Sequence, residues 1–570
     1  MSAKKISTPW LKSYGKRKKS LKYPKGSMYD LLSRSAQKYP DIMAYNYFDN
    51  KVTYRHLITQ VDRAAKSFLS LGAKKGDVIS VCAPNIPEAV VAIYAINKIG
   101  AVANIFHPLS APNEIKEYLN TVDTRILVAV DISWENVKPI LEQTKVQQSI
   151  IISPADSLPL LSKLGYKLIN AKGVRKNLQK ILNREKAAMS WSTFLGRGQL
   201  VVGDAYEKTR SRDIAAILYS GGTTGKSKGV ALTNGAFNAA TVQLKDFYPD
   251  AVIPGYNILG ILPIFHCFGL GVCVHTMFAN GMGMIMLPKF DGKKLHTILE
   301  ETKPEIIVGV PTLYEAMHND KKIRKMDLSF IKRAISGGDS LSTSLKKEIN
   351  RTLTSCGCQE EILQGYGLTE SCGVVCINPT EKQKDGAIGI PTADVFMKIV
   401  EPSSYIEKPT GEIGEIVVAG PNLMTGFVGN QRETNEALQL HPDGRIWLHT
   451  GDMGYMDSDG YTFFKSRMKR LIVSSGYNIY PTEVEEAITK VPEVLIATVI
   501  GLDDKYRGQI AKAFVVLKNG VKPSDKIRAK IMEQCRLDLA KYKWPRKIEF
   551  RKTMPKTKIG KVAYGELAKK

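Results

Sequence analysis

The stretch Asp77 to Ala101 contains DVISVCAP at 77–84 and IPEAVVAIYAINKIGA at 86–101, a short Val/Ile-rich run followed by an apolar segment of helix length. The same kind of short run returns as RILVAV at 125–130, SIIISP at 149–154, EIIVGV at 305–310 and KRAISG at 332–337. Amphipathic segments such as YRHLITQVDRAAKSFLSLG at 54–72 lie between such runs. Runs apolar on both faces, alternating with helices, are the signature of βαβ units and parallel sheets. The expected fold class is α/β, with a large N-terminal domain of mostly parallel βαβ sheets. From about Gly411 the texture turns to Gly-punctuated strands (GEIGEIVVAG, then GRIWLHTGDMGYMDSDGYTFFKS), which predicts a β-rich subdomain over about 385–467. After Arg467 the sequence predicts a compact, small, mobile α+β C-terminal domain over 468–570, with two strands, a helix and a closing loop.

At 570 residues the chain is too long for one growing core, so several domains are expected. Lys and Arg outnumber Asp and Glu by 81 to 55, a net +26. That field attracts nucleotides, fatty carboxylates, anionic lipid and nucleic acid alike. Residues 1–25 carry nine basic side chains and no acid, which reads as a solvated basic arm, with docking to anionic membrane as the alternative. Residues 160–200 carry nine basic residues against the single acid Glu185; this is an exposed helix, or an amphipathic one lying on lipid. The apolar region 258–288 is broken by Pro263, His266, His275 and Asn280, so it predicts buried core and no transmembrane segment. The eight cysteines form no C-x-x-C pair, as expected of reduced thiols in a cytoplasmic protein. Oligomeric state has no signature in the sequence.

The sharpest local signal is Tyr219-Ser220-Gly221-Gly222-Thr223-Thr224-Gly225-Lys226-Ser227-Lys228-Gly229, after the apolar run IAAIL. Glycines admit a phosphate close to the backbone, hydroxyls and amides donate to it, and lysines offset its charge. It is not a Walker loop, whose first glycine would fall at Ser220, and VALT after it predicts a strand where a Walker loop opens a helix. Alone, such a loop is a hairpin turn as often as a phosphate site.

This loop resembles the hallmark of the adenylate-forming superfamily of acyl-CoA synthetases, luciferases and peptide-synthetase adenylation domains. The resemblance recurs in order at LPIFHCFGLG (262–271), SGGDSLS (336–342), QGYGLTES (364–371), WLHTGD (447–452), KSRMKRLIVSSGYNIYPTEVE (465–485) and PKTKIGK (555–561). It implies an ATP site built from Ser220 to Gly225, Lys228, Gly337, Gly338, Gly365, Tyr366, Gly367, Thr369, Asp452 and Arg467. Tyr366 would stack on adenine and Asp452 would accept from the ribose hydroxyls. Glu370, with Thr223, would hold Mg²⁺. Lys561 would bridge carboxylate and α-phosphate, the catalytic role the family gives it beside Thr223 and Glu370. Gly476 and Tyr477 would flank the coenzyme A path, and Lys469 would be the hinge.

Gly221 and Ser227, where the family often has serine and proline, resemble the bacterial long-chain fatty acyl branch. LPIFHCFGLG lacks the aspartate that amino-acid-activating relatives use. His266, Phe268, Gly269, Val308 and Gly309 are the expected acyl pocket. The resemblance thus implies a ligase with ATP, Mg²⁺ and coenzyme A as cofactors, making acyl-CoA from a medium- or long-chain fatty acid. An aryl-acid ligase and loading of a separate carrier protein are the alternatives, since the chain ends nine residues after Lys561. A nucleic-acid-binding protein would explain the charge but not the ordered motifs, so no nucleic acid is expected. The expected location is cytoplasmic, with peripheral contact at the inner membrane face as the alternative.

Overall fold

The computed structural model describes residues 6–159, 181–182, 188–220, 227–518, 520–557 and 561–568. Two large sheets build the N-terminal body. In the first, Val78–Cys82, Val102–Phe106, Ile126–Val130, Gln148–Ile152, Ala188–Ser190 and Ile214–Ser220 run parallel, and Lys228–Thr233 and Gly426–Phe427 close one edge antiparallel. In the second, Met43–Tyr47, Gly283–Met286, Asn257–Gly260, Ile306–Gly309, Arg333–Ser336 and Ile362–Tyr366 form the parallel centre.

The Val/Ile runs are strands because helices cover both their faces. Ile79, Val81, Val128 and Ile150 are at most 1% exposed, and burial on both sides is what such continuous apolar runs require. The helix Pro87–Lys98 starts on a proline at its first turn, where the missing N–H costs nothing. It is buried along its whole length, matching its unbroken apolarity.

The region 258–288 is core, as its breaks predict. It folds as the strand Asn257–Gly260, a π-helical segment Phe268–Thr276 and the strand Gly283–Met286. Among the described residues no helix is long and apolar enough to cross a membrane. All eight cysteines are free and buried.

The β-rich subdomain is an antiparallel sheet of Phe396–Val400, Gly414–Ala419, Leu438–Leu440, Ile446–Met456 and Thr462–Arg467. The C-terminal domain has more than the two strands, one helix and loop expected. Five strands (Ile472–Ser474, Tyr477–Ile479, Val494–Asp504, Gly508–Leu517 and Lys547–Arg551) carry helices Pro481–Thr489 and Asp525–Asp538. The extra strands escaped the periodicity because two have three residues each, and the third, KIEFR, alternates charge with apolar groups at an edge.

The basic N-terminal segment is docked from residue 6 onward, which corrects the solvated-arm reading. Trp10 and Tyr14 are at most 3% exposed, Tyr14 Oη donates to Pro391 O (2.8 Å), and Arg17 pairs with Glu381 (2.9 Å). Aromatic anchors outweigh the lysines here, because Lys12, Lys16, Lys18, Lys19, Lys22 and Lys25 all stay in solvent. Of the stretch 160–200 read as one exposed helix, residues 160–180 and 183–187 lie outside the described residues; 188–200 are described and fold as the strand Ala188–Ser190, the helix Trp191–Arg197 with Trp191 and Phe194 buried, and the turn Gly198–Leu200.

Candidate active site

The parallel strands of the second sheet deliver their C-terminal ends to one place, where open α/β sheets carry ligands. Gly337 follows Arg333–Ser336 and donates its N–H to Gly309 O (3.0 Å), while Gly365 and Tyr366 end Ile362–Tyr366. Tyr366 Oη donates to Asp452 Oδ2 (2.7 Å), and Arg467 Nε lies 2.8 Å from Asp452 Oδ1. Asp452 and Arg467 face each other because their strands pair in that register. Asp452 is fully buried. Burial raises its carboxyl above the usual range, opposed by Arg467 and the Tyr366 hydroxyl.

Glu370 sits in the short turn Thr369–Ser371 just after Gly367, and burial raises its carboxyl too, with Arg467 the first cation opposing it. Thr369 is buried beside it. A half-buried carboxylate whose charge Arg467 and Lys228 offset only in part fits a hard cation brought in by a nucleotide. Among the described residues no group of three or more His, Cys, Asp or Glu is set to hold a metal ion. Mg²⁺ in phosphate sites takes one or two carboxylates plus the substrate's own oxygens, so a dedicated cage is not required.

Lys561 reaches this cluster from the C-terminal domain. Its backbone is fixed by Thr557, whose N–H donates to Lys561 O (2.6 Å) and whose Oγ1 accepts from Lys561 N (3.1 Å). Its stem lies over Gly338, where an added Cβ would sit 3.4 Å from Lys561 Cε and where φ is +79°. The positive φ is what calls for glycine there, since a Cβ would make only ordinary contact with the lysine. Burial lowers the Lys561 ammonium's pKa, Asp339 opposes that, Arg467 adds to it, and Asp452 and Glu370 oppose it.

His266 also feels Lys561: burial first, then that ammonium, pushes its imidazole down to about 3. Its Nδ1 accepts from Phe268 N (3.3 Å), so the neutral ring carries its proton on Nε2. Phe268 lies against Gly337. Val308 is core at 1% exposure, and Gly309 has Leu313 against its Cα; these two back the site from inside the sheet. Gly269 packs on the carbonyl of Pro263.

In the glycine-rich loop, Gly221, Gly222, Thr223, Thr224 and Gly225 lie outside the described residues. Its flanks form an antiparallel hairpin with Ser220 opposite Lys228, so the VALT strand is where the sequence puts it. Lys228 Nζ pairs with Glu433 Oε2 (2.7 Å) over the Phe427 ring. Gly476 (φ +80°) has open space where a Cβ would stand, and Tyr477 is 58% exposed, stacked on Tyr542. Both face solvent, whereas Lys561 is turned into the site. Lys469 lies in the turn Met468–Arg470 directly after the last strand of the β-rich sheet.

Three residues that the motifs did not single out belong to this neighbourhood: Asp339, Glu433 and Arg470. Asp339 lies inside SGGDSLS and is readable as an acid beside two glycines. Glu433 has no such signal, since its partner Lys228 is remote in sequence, whereas Arg470 and its partner Glu485 both lie within 465–485 and only the ring of Tyr564 under Arg470 is remote from that motif.

Comparison with known proteins identifies the family. The model of the AMP-binding enzyme family matches residues 32–428, and that of the AMP-binding enzyme C-terminal domain matches 483–561. A long-chain-fatty-acid–CoA ligase of Bacillus subtilis is 32% identical over 97% of this chain and 96% of its own. One of Salmonella typhimurium is 30% identical over 95% and 94%. Among solved structures, a Mycobacterium tuberculosis fatty acyl CoA synthetase superposes with a TM-score of 0.69 at 25% identity, covering 95% of this chain and 98% of that one. ATP-bound MatB from Rhodopseudomonas palustris shares the fold with a TM-score of 0.79 at 24% identity, over 95% and 98%. The chain belongs to the AMP-binding enzyme family and is an ATP-dependent, AMP-forming ligase.

Proposed function

We propose that the protein activates a medium- or long-chain fatty acid as its acyl-AMP and transfers the acyl group to coenzyme A. The observation that carries the chemistry is the meeting of Lys561 with Asp452, Arg467 and Glu370 across two domains. In the first step a carboxylate oxygen attacks the α-phosphorus, the new O–P bond forms, and pyrophosphate leaves. Two anions must approach, and the Lys561 ammonium bridges them where burial strengthens its field. Tyr366 stacks on adenine, Asp452 accepts from the ribose hydroxyls, and Arg467 stays paired to it. Gly337, Gly338 and Gly365 border the nucleotide. Lys228 exchanges Glu433 for phosphate beside Ser220 and the glycine-rich loop. Glu370, with Thr223, would hold Mg²⁺, which supplies charge neutralisation on the phosphates when bound.

In the second step the coenzyme A thiolate attacks the acyl carbonyl, and the C–O bond to AMP breaks. Lys561 occupies the site while Gly476 and Tyr477 face solvent, so the small domain must turn, about Lys469. Domains of 26–467 and 468–570 follow from that pivot.

The fatty substrate is supported by the end-to-end likeness to long-chain ligases and by the neutral His266 and Phe268 at the carboxylate end. The exposed lysines of 12–25 are proposed to meet anionic lipid. A coenzyme A thiol-loss assay across C2 to C18 acids, benzoate and coumarate tests the reading. Turnover is expected to peak at C8 or longer; a peak on benzoate or coumarate would establish the aryl alternative instead.

A further inference from the structure

The C-terminal domain meets the large one along an apolar strip and a charged one. The apolar strip joins Ile500, Phe514 and Val516 to Leu345 and Ile349 in one buried cluster. Apolar contact is non-directional, so it holds the two bodies together without fixing their register. The charged strip can fix it. Val562, the residue after Lys561, donates its N–H to Asp339 Oδ2 (3.3 Å). On the helix Thr343–Ser355, Glu348 accepts from Lys518 of the small domain and lies 3.6 Å from His318 Nε2.

Asp339 directly follows Gly338, over which the Lys561 stem lies. One two-residue element therefore lies under the lysine stem and holds the next amide. Asp339 is also the first acid opposing the loss of charge that burial imposes on Lys561. Glu348 and Lys518 pair with each other beside His318, outside the cluster around Lys561, which makes them a second anchor of the same pose.

We infer that Asp339 is a positioning residue for the adenylation step, and that it and the Glu348–Lys518 pair hold the small domain with Lys561 in the site and release it for thioester formation. This rests on the reading of Lys561 given above. Losing a contact made in only one of two poses weakens the step that pose performs and does not slow the other.

The test times both half-reactions in the full-length protein: ATP/pyrophosphate exchange with a fatty acid, and thioester formation from purified acyl-AMP and coenzyme A. Asp339→Ala is expected to slow exchange by roughly ten-fold, the effect of losing one hydrogen bond to a charged acceptor. Asp339→Asn keeps an accepting oxygen and should lose less. Glu348→Lys and Lys518→Glu alone should each slow exchange a few-fold, and together restore most of it, the sign of a direct pair. The KM for ATP should stay within two-fold throughout, and thioester formation should keep its rate. Exchange at the normal rate in Asp339→Ala overturns the inference, as does an equal fall of both half-reactions in Asp339→Asn and the charge-swap singles. Lys561→Ala separates the two claims. If it exchanges normally, the reading of the lysine fails; if it does not while Asp339→Ala does, only the clasp fails.

Discussion

Asp452→Asn removes one charge from the proposed ribose site while keeping its shape. Asp452 is fully buried, holds Tyr366 Oη at 2.7 Å and faces Arg467 Nε at 2.8 Å. The amide oxygen can still face Arg467 Nε, and the Tyr366 hydroxyl can reverse to accept from the new NH₂. The loss is therefore concentrated on the two ribose hydroxyls. A hydrogen bond to a charged acceptor is worth about 1 kcal/mol more than one to a neutral acceptor, so two cost about 2 kcal/mol, roughly 30-fold in kcat/KM for ATP. Stability should move the other way or little. The Asp452 carboxyl is raised because burial outweighs Arg467 and Tyr366; a raised carboxyl takes up a proton more readily folded than unfolded, so the charged form weakens the fold at neutral pH. Asn removes that desolvation cost. Arg467 is 44% exposed at its side chain, so water offsets part of its lost partner. The assay is ATP/pyrophosphate exchange against ATP concentration, with a thermal melt. The variant should also lose the part of the acid limb that comes from protonating Asp452, a limb lying above the ordinary carboxylate range in the parent. An unchanged kcat/KM for ATP in a folded variant would refute the ribose assignment; a collapse of the melt would refute the electrostatic reasoning.

Glu370→Ala should raise the Mg²⁺ concentration needed for exchange and cut its rate, and an unchanged Mg²⁺ titration in the folded variant would leave Glu370 a turn residue only. Lys561 has a lowered pKa, so the exchange rate should fall on the alkaline side earlier than free lysine would require, because deprotonation removes the bridging charge; a rate flat to about pH 10, near the ordinary lysine pKa, would contradict that role. Lys469→Pro, which fixes φ and removes an amide donor, should spare exchange and slow thioester formation, and a parallel fall in both would move the pivot elsewhere. Binding to anionic vesicles should exceed binding to neutral ones, weaken with salt, and drop when Lys12, Lys16, Lys18 and Lys19 become glutamine; equal partition would rule out the lipid contact.

What the sequence made legible was whatever one segment encodes alone. Val78–Cys82 and Ile126–Val130 read as central strands because burial on both faces leaves a run of Val and Ile. Tyr366, Glu370 and Asp452 stood in recognisable motifs, and the structure brings them together with Lys561. Properties shared between remote segments stayed hidden. Nothing in MSAKKISTPWLKSYGKRKKS shows that Trp10 and Tyr14 have a seat on the body, so its lysines dominate the reading. The π-helical form of Phe268–Thr276 likewise has no apolar period of its own, since all but its first residue is buried. Glu433 is visible only once the strand Lys228–Thr233 has been placed beside it.

The most direct measurement is a single-turnover experiment with excess enzyme, MgATP and palmitate, quenched and read by mass spectrometry before and after coenzyme A is added. Palmitoyl-AMP should build up first, in amounts matching the pyrophosphate released, and should convert to palmitoyl-CoA and AMP once the thiol is present. Pyrophosphate release without palmitoyl-AMP, or acyl-AMP seen only with an aromatic acid, would contradict the account.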